Sequence, residues 1–134
     1  MDRRSFTLGV ACLVSQGSSN AQGVLASLPP PNDKEIKKIL EPERWPNPYV
    51  MVEAGRYELV LPRVPRSSRR LTLAQLEQAL LALPAGAFPL GGVMGVGQSG
   101  LLREEEMPAV DKARSDLVQL LRRYGVRADL WPSN

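Results

Sequence analysis

The sequence predicts an α/β fold, an α+β two-layer sandwich with two helices on one face of a small β-sheet. Apolar residues recur at helical spacing over 72–83 and 108–124, and short apolar runs bounded by glycine or proline flank both segments. An amphipathic helix needs a sheet face against which to bury its apolar side. The predicted order is β-β-α-β-α-β, preceded by a signal and a proline-rich arm.

The first 21 residues have the order of regions found in a secretory signal. Arg3 and Arg4 precede a short apolar run at 6–14, and residues 19–21 (Ser-Asn-Ala) fit a small-x-small cleavage site. The arginine pair indicates the twin-arginine route. We therefore expect a periplasmic or secreted bacterial protein, or a cytoplasmic one if this segment is not a signal.

Residues 22–48 are predicted to form a proline-rich arm ahead of an α/β domain at 49–134. Three consecutive prolines at 29–31 favour a stiff polyproline II segment. The Asn-Asp pair that follows can cap a short helix at about 34–40. The arm is thus expected to link the signal to the domain.

The domain begins with a predicted β-hairpin. Two strand-like segments, 49–53 and 56–61, are separated by Ala54-Gly55, which is typical of a two-residue turn. Apolar residues alternate along the second segment and predict one buried face: Tyr57, Leu59 and Leu61.

The clearest helix is predicted over 72–83. Thr72 and Gln75 have the spacing of a capping box, in which each side chain accepts a hydrogen bond from the other residue's backbone amide. Its apolar side consists of Leu73, Leu76, Leu80 and Leu83. Pro84 ends the helix, and a strand that contains several glycines is predicted at 90–96.

A second helix is predicted over 108–124, and a last strand over 126–131. Pro108 suits the first helical turn, and Gly125 supplies a left-handed stop. The apolar side of this helix consists of Val110, Leu117, Leu121 and Tyr124. Trp45 and Trp131 are expected to pack in the core or at a sheet edge.

The composition excludes several kinds of catalytic site. The chain of 134 residues contains no histidine, and its one cysteine, Cys12, lies inside the predicted signal. A Ser-His-Asp triad, a Cys/His zinc site and a thiolate nucleophile are therefore excluded from the mature domain. We expect no cofactor and no metal, and the sequence favours a non-catalytic protein over an enzyme.

The net charge and hydropathy limit the classes of partner that we expect. A formal net charge of +3 is weak evidence for nucleic-acid binding. No segment approaches the roughly 18 consecutive apolar residues that a membrane-spanning helix needs. We therefore expect neither a nucleic-acid partner nor a transmembrane helix, and the sequence leaves the oligomeric state open.

A G-x-G-x-x-G pattern follows the predicted strand at 90–96. Its candidate ligand-binding residues are Gly95, Gly97, Gln98, Ser99 and Gly100. In a dinucleotide site such glycines lead directly into a helix, whereas here three glutamates, 104–106, intervene and would repel phosphate. A flexible loop is the favoured interpretation. The glutamates lack calcium-loop spacing and are better explained as acids that oppose the dipole of the next helix.

Four arginines cluster between the hairpin and the first long helix. They are Arg63, Arg66, Arg69 and Arg70, and prolines and serines separate them. No aromatic residue is interleaved to stack on a nucleic-acid base. The cluster is interpreted either as a loop that attracts an anionic partner, such as lipid headgroups or an acidic protein, or as a solvated loop.

Residues 71–133 resemble a group of small, uncharacterised bacterial exported proteins. The resemblance lies in the leucine helix ending at Pro84, the segment 87–96 (AFPLGGVMGV) and the ending 124–133 (YGVRADLWPS). It implies no known activity. The βαβαβ order also resembles the periplasmic domain of TolR/ExbD-type proteins, but the membrane helix with its buried aspartate is missing, so their energy-transducing role is not implied.

These observations predict an exported, non-catalytic cell-envelope domain that binds a partner, either an envelope protein or an anionic surface. The alternative is a small-ligand-binding protein or an enzyme that uses the loop at 95–106. A concave polar pocket at that loop would favour the alternative.

Overall fold

The computed structural model describes residues 25–62, 66–98 and 102–131. Within them the chain forms a mixed α/β fold with a five-stranded sheet and three helices. The strands are β1 (Tyr49–Glu53), β2 (Arg56–Leu61), β3 (Ser67–Leu71), β4 (Val93–Gln98) and β5 (Arg127–Leu130); the helices are α1 (Asp33–Lys37), α2 (Leu73–Leu81) and α3 (Met107–Arg123). No helix in these ranges is both long and apolar enough to cross a membrane. The predicted signal lies outside the described residues.

The strand order across the sheet is β3-β2-β1-β4-β5. Strand β2 pairs antiparallel with β1 on one side and with β3 on the other, whereas β4 runs parallel to both β1 and β5. The predicted hairpin is confirmed, and its turn needs Gly55, whose φ of +78° lies in the left-handed region. Helices α2 and α3 connect β3 to β4 and β4 to β5.

The sheet has one strand more than predicted. Strand β3 occupies a segment that the sequence analysis assigned to a basic loop, and it forms the sheet edge beside β2. Its first four residues, Ser-Ser-Arg-Arg, are exposed, and Leu71 alone is buried. A strand that is exposed along most of its length has no apolar alternation, so periodicity could not identify it.

The main core lies between α2, α3 and one face of the sheet. Leu76 and Leu117 are both fully buried there, and Tyr57 donates a hydrogen bond to the carbonyl of Ala113 at 2.9 Å. The sheet contributes Val50, Val52, Tyr57, Leu59, Leu71, Met94 and Val96 to this core. The capping box of Thr72 and Gln75 begins α2, as predicted.

The opposite face of the sheet is also covered, in contrast to the single buried face expected for β2. Val60 is buried on this second face, while Leu61 is only half-buried. The second core comprises Trp45, Tyr49, Val60, Leu90 and Val93, with Ile36, Ile39, Met51 and Trp131 packed against it. The described part of the proline-rich segment therefore covers this face of the sheet.

The described part of the arm is fastened to the loop that precedes β4. The amide of Gly92 donates to the carbonyl of Pro29 at 2.8 Å, and the amide of Asn32 donates to the carbonyl of Leu90 at 2.9 Å. Arg127 on β5 forms a 2.8 Å ion pair with Asp33, which holds the pKa of that carboxyl below its usual value. Residues 29–33 thus belong to the folded domain.

Candidate functional site

The glycines of the predicted ligand loop lie inside a strand. Gly95 and Gly97 are buried in β4, so the strand extends beyond the predicted end at residue 96. A Cβ atom on Gly95 would lie 2.7 Å from Cε2 and 2.8 Å from Cη2 of Trp131, and one on Gly97 would lie 3.1 Å from its Cε3. Because Gly95 and Gly97 have no side chains, the indole ring of Trp131 can pack directly against β4.

Trp131 belongs to a three-membered aromatic cluster on this face. Its ring centroid lies 5.7 Å from that of Trp45 in an edge-to-face arrangement, and 5.0 Å from that of Tyr49. The indole nitrogen of Trp45 donates to the carbonyl of Pro48 at 3.3 Å. These contacts agree with the expectation that both tryptophans have packing roles. A ligand on Gly95 and Gly97 would have to displace the indole.

The rest of the glycine motif does not complete a described site. Gln98 is the half-buried last residue of β4, and Ser99 and Gly100 lie outside the described residues. Within the described ranges, no group of three or more acidic or cysteine side chains could hold a metal ion. Glu106 accepts a hydrogen bond from the amide of Arg103 at 3.0 Å, just before α3.

Asn47 is a buried polar residue that the sequence analysis did not single out. Its Nδ2 donates to the carbonyls of Gly91 at 3.0 Å and Val93 at 2.7 Å, and its Oδ1 accepts from the amide of Leu90 at 2.8 Å. These three hydrogen bonds satisfy backbone polar groups in the turn that leads into β4. Asn47 is therefore a structural residue that fastens the arm to the sheet.

The described arginines of the predicted cluster are exposed to solvent. We call residues 66–70 the basic edge. Arg66 donates from Nη2 to the hydroxyl of Tyr49 at 2.6 Å, and Arg70 lies 3.3 Å from a carboxylate oxygen of Glu53. Burial raises the pKa of Tyr49, and the charge of Arg66 opposes that increase. Two of the arginines are therefore tied to the second face of the sheet.

Arg69 differs from Arg66 and Arg70 in the face of the sheet on which it lies. In the antiparallel register it lies opposite Leu59, whereas Arg70 lies opposite Glu58. Because alternate residues of a strand point to opposite faces, Arg69 projects on the helix side of the sheet and Arg70 on the arm side. Among the described carboxylates, none forms an ion pair with Arg69.

A shallow groove lies beside Arg69, between β3 and α2. Its volume is about 480 Å³, and it is lined by Arg69, Ala74, Gln75, Gln78 and Ala79. The two alanines give it an apolar surface, while the arginine and glutamines provide hydrogen-bond donors and, in the amides, acceptors. Sequence reasoning could not find the groove because it forms where α2 lies beside β3, a strand that has no apolar alternation.

The predicted site residues therefore separate into two regions. The glycines of β4 support an aromatic cluster, and Arg66, Arg69 and Arg70 form a basic sheet edge. Arg63 lies outside the described residues.

Comparison of the chain with protein-family models, curated proteins and solved structures gives no match.

Proposed function

We propose that this protein is an exported, non-catalytic cell-envelope domain that binds an acidic partner protein through the basic edge. The observation that carries the proposal is an exposed edge strand with arginines on both of its faces. One of them, Arg69, has no ion-pair partner among the described carboxylates and lies beside a groove. Exposed positive charge without a local counter-charge favours association with an anionic surface.

An acidic protein is favoured over a lipid surface. Interfacial membrane binding combines basic residues with apolar or aromatic side chains that insert among the lipids. The basic edge has serines at 67 and 68, and Leu71, the apolar residue that follows it, is buried in the core. The exposed backbone of an edge strand is instead suited to contact with another polypeptide.

The alternative function, a small-ligand or enzyme site at 95–106, has less support. Trp131 occupies the space above Gly95 and Gly97, where a ligand would need to approach the backbone. Partner binding is therefore the better-supported function.

Polyglutamate is a suitable probe for the proposed binding because it presents carboxylates without a fixed fold. The full chain should bind it at low salt and release it above about 0.5 M salt, where the screening length is only a few ångströms. The double variant Arg69→Gln/Arg70→Gln should bind about tenfold more weakly, since each exposed charge contact contributes modestly.

A matched control removes the same charge elsewhere. Arg122 and Arg123 are exposed at the end of α3, so Arg122→Gln/Arg123→Gln lowers the net charge equally. If this control weakens binding as much as the edge variant, attraction is non-specific and the proposal fails. Absence of binding at low salt also refutes it, as does preference for anionic vesicles over polyglutamate.

The proposed export rests on residues 1–21, which lie outside the described part of the chain. Replacing Arg3 and Arg4 with lysine should block twin-arginine transport and leave a longer precursor in the cytoplasm. Unchanged processing of the variant would indicate the general secretory route. Wild-type protein from the envelope that retains Met1 would refute the signal.

A further inference from the structure

The edge strand supports a more specific mode of binding. We infer that the acidic partner contributes an extended segment that pairs with β3 as a sixth strand of the sheet, with one of its carboxylate side chains in the groove beside Arg69. This inference rests on the proposed function and specifies its partner as an acidic, strand-forming segment.

The backbone of β3 provides the first support. Among the described strands, β2 is the one neighbour of β3, and residues 67–70 are all exposed. In a sheet, every second residue of an edge strand points its N–H and C=O groups away from its neighbour. An incoming strand can pair with these groups in the same way that β2 pairs with the opposite side.

The side chains flanking that backbone provide the second support. Arg69 projects on the helix side, and Arg70 projects on the arm side, where Arg66 contacts Tyr49. Side chains of an added strand also alternate between these two sides. A carboxylate on the helix side of the partner strand would meet Arg69, whereas one on the arm side would meet Arg70, which already pairs with Glu53, so the helix side favours an acidic residue more strongly.

The groove provides the third support because it continues the helix side of β3. Ala74 and Ala79 can contact the methylene groups of a glutamate side chain, while Arg69 and Gln78 lie near enough to the same depression to approach its carboxylate. An arginine recognises a carboxylate by two parallel hydrogen bonds. The groove thus selects for a carboxylate at the end of a short apolar stem.

A second copy of the chain is a poorer occupant. Pairing β3 with β3 would bring two sets of arginines together, and like charges opposite one another in a sheet are destabilising. The other sheet edge, β5, offers four residues, and its Arg127 is already paired with Asp33. Charge complementarity therefore favours a different, acidic chain.

The test uses a labelled octapeptide of alternating glutamate and threonine and the full chain enriched in nitrogen-15. Hydrogen exchange is followed at individual amides, with and without peptide. Strand addition should slow exchange at alternate amides within 67–71 by at least about tenfold, because the outward amides become hydrogen-bonded. Exchange at β5 should not change.

Two controls separate strand addition from charge attraction. An octapeptide of the same sequence with every amide N-methylated keeps its carboxylates but cannot donate backbone hydrogen bonds, so it should bind more weakly and leave hydrogen exchange at the β3 amides unchanged. Gln78→Glu places a carboxylate near Arg69 and should weaken binding about fivefold, on the scale of one exposed charge contact. Gln119→Glu, at an exposed position of α3, should have no effect.

The outcomes distinguish this inference from the proposed function. If both peptides bind equally and β3 amides exchange at their free rate, strand addition is refuted while acidic-partner binding stands. If neither the octapeptide nor polyglutamate binds, both proposals are refuted. Protection of β3 amides that rises with protein concentration in the absence of peptide would identify a second copy as the occupant and also overturn the inference.

Discussion

Replacing Gly95 with alanine tests whether the glycines of β4 exist to accommodate Trp131. The new Cβ would lie 2.7 Å from Cε2 and 2.8 Å from Cη2 of the indole, well inside van der Waals contact. The ring must therefore move away from Tyr49 and Trp45, or the strand must shift. Overpacking of this kind costs about 1–3 kcal/mol of folding free energy.

Two other glycines provide a graded comparison. A Cβ on Gly97 would meet the flexible Met51 thioether at 3.0 Å and Trp131 at 3.1 Å, so Gly97→Ala should cost less than about 1 kcal/mol. A Cβ on Gly86 meets nothing within 4 Å, so Gly86→Ala should be neutral or slightly stabilising. Alanine is intrinsically better than glycine in a strand by roughly 0.5–1 kcal/mol, so any net loss at Gly95 reports the clash.

Urea unfolding followed by far-UV circular dichroism measures the free energies without relying on tryptophan. The near-UV signal of the aromatic cluster should also change in Gly95→Ala. In a double-mutant cycle, Gly95→Ala should cost almost nothing once Trp131→Ala has removed the ring. The reasoning is refuted if Gly95→Ala is as stable as wild type, or if its cost is unchanged in the Trp131→Ala background.

The remaining predictions concern the core and the tyrosines. Leu76→Ala and Leu117→Ala, at fully buried positions, should each cost about 2–5 kcal/mol in urea unfolding, whereas Gln75→Ala should cost at most about 1 kcal/mol; equal effects would contradict the packing described for α2 and α3. Burial raises the pKa of Tyr49 and Tyr57, and a 2.6 Å hydrogen bond to Glu77 raises that of Tyr124. These folded-state pKa values exceed the unfolded value of 10.0, so the free energy of unfolding that depends on the neutral tyrosines should be fully present below pH 10. It should fall as the pH rises through the folded-state pKa values. Tyrosinate absorbance that appears at the same pH in folded and urea-unfolded protein would refute this.

The elements that sequence predicted well are those whose signals are local. The capping box at Thr72 and Gln75, the two-residue turn at Gly55 and the leucine spacing of α2 depend on neighbours within a few positions. Strand β3 depends on pairing with β2, and its exposed Ser-Ser-Arg-Arg sequence carries no burial pattern. The cover over the second face depends on Asn47 and the arm meeting β4, contacts across more than 40 positions.

The candidate sites were harder to predict because the same residue types serve packing and binding. A glycine motif after a strand is compatible with a phosphate loop, and only the position of Trp131 shows that the missing Cβ atoms are filled by an indole. A run of arginines is compatible with a solvated loop, and only its pairing with β2 turns it into a sheet edge with charge on both faces. Those arginines oppose self-pairing of the edge and favour an acidic strand, so one feature provides both protection against aggregation and selectivity for a partner.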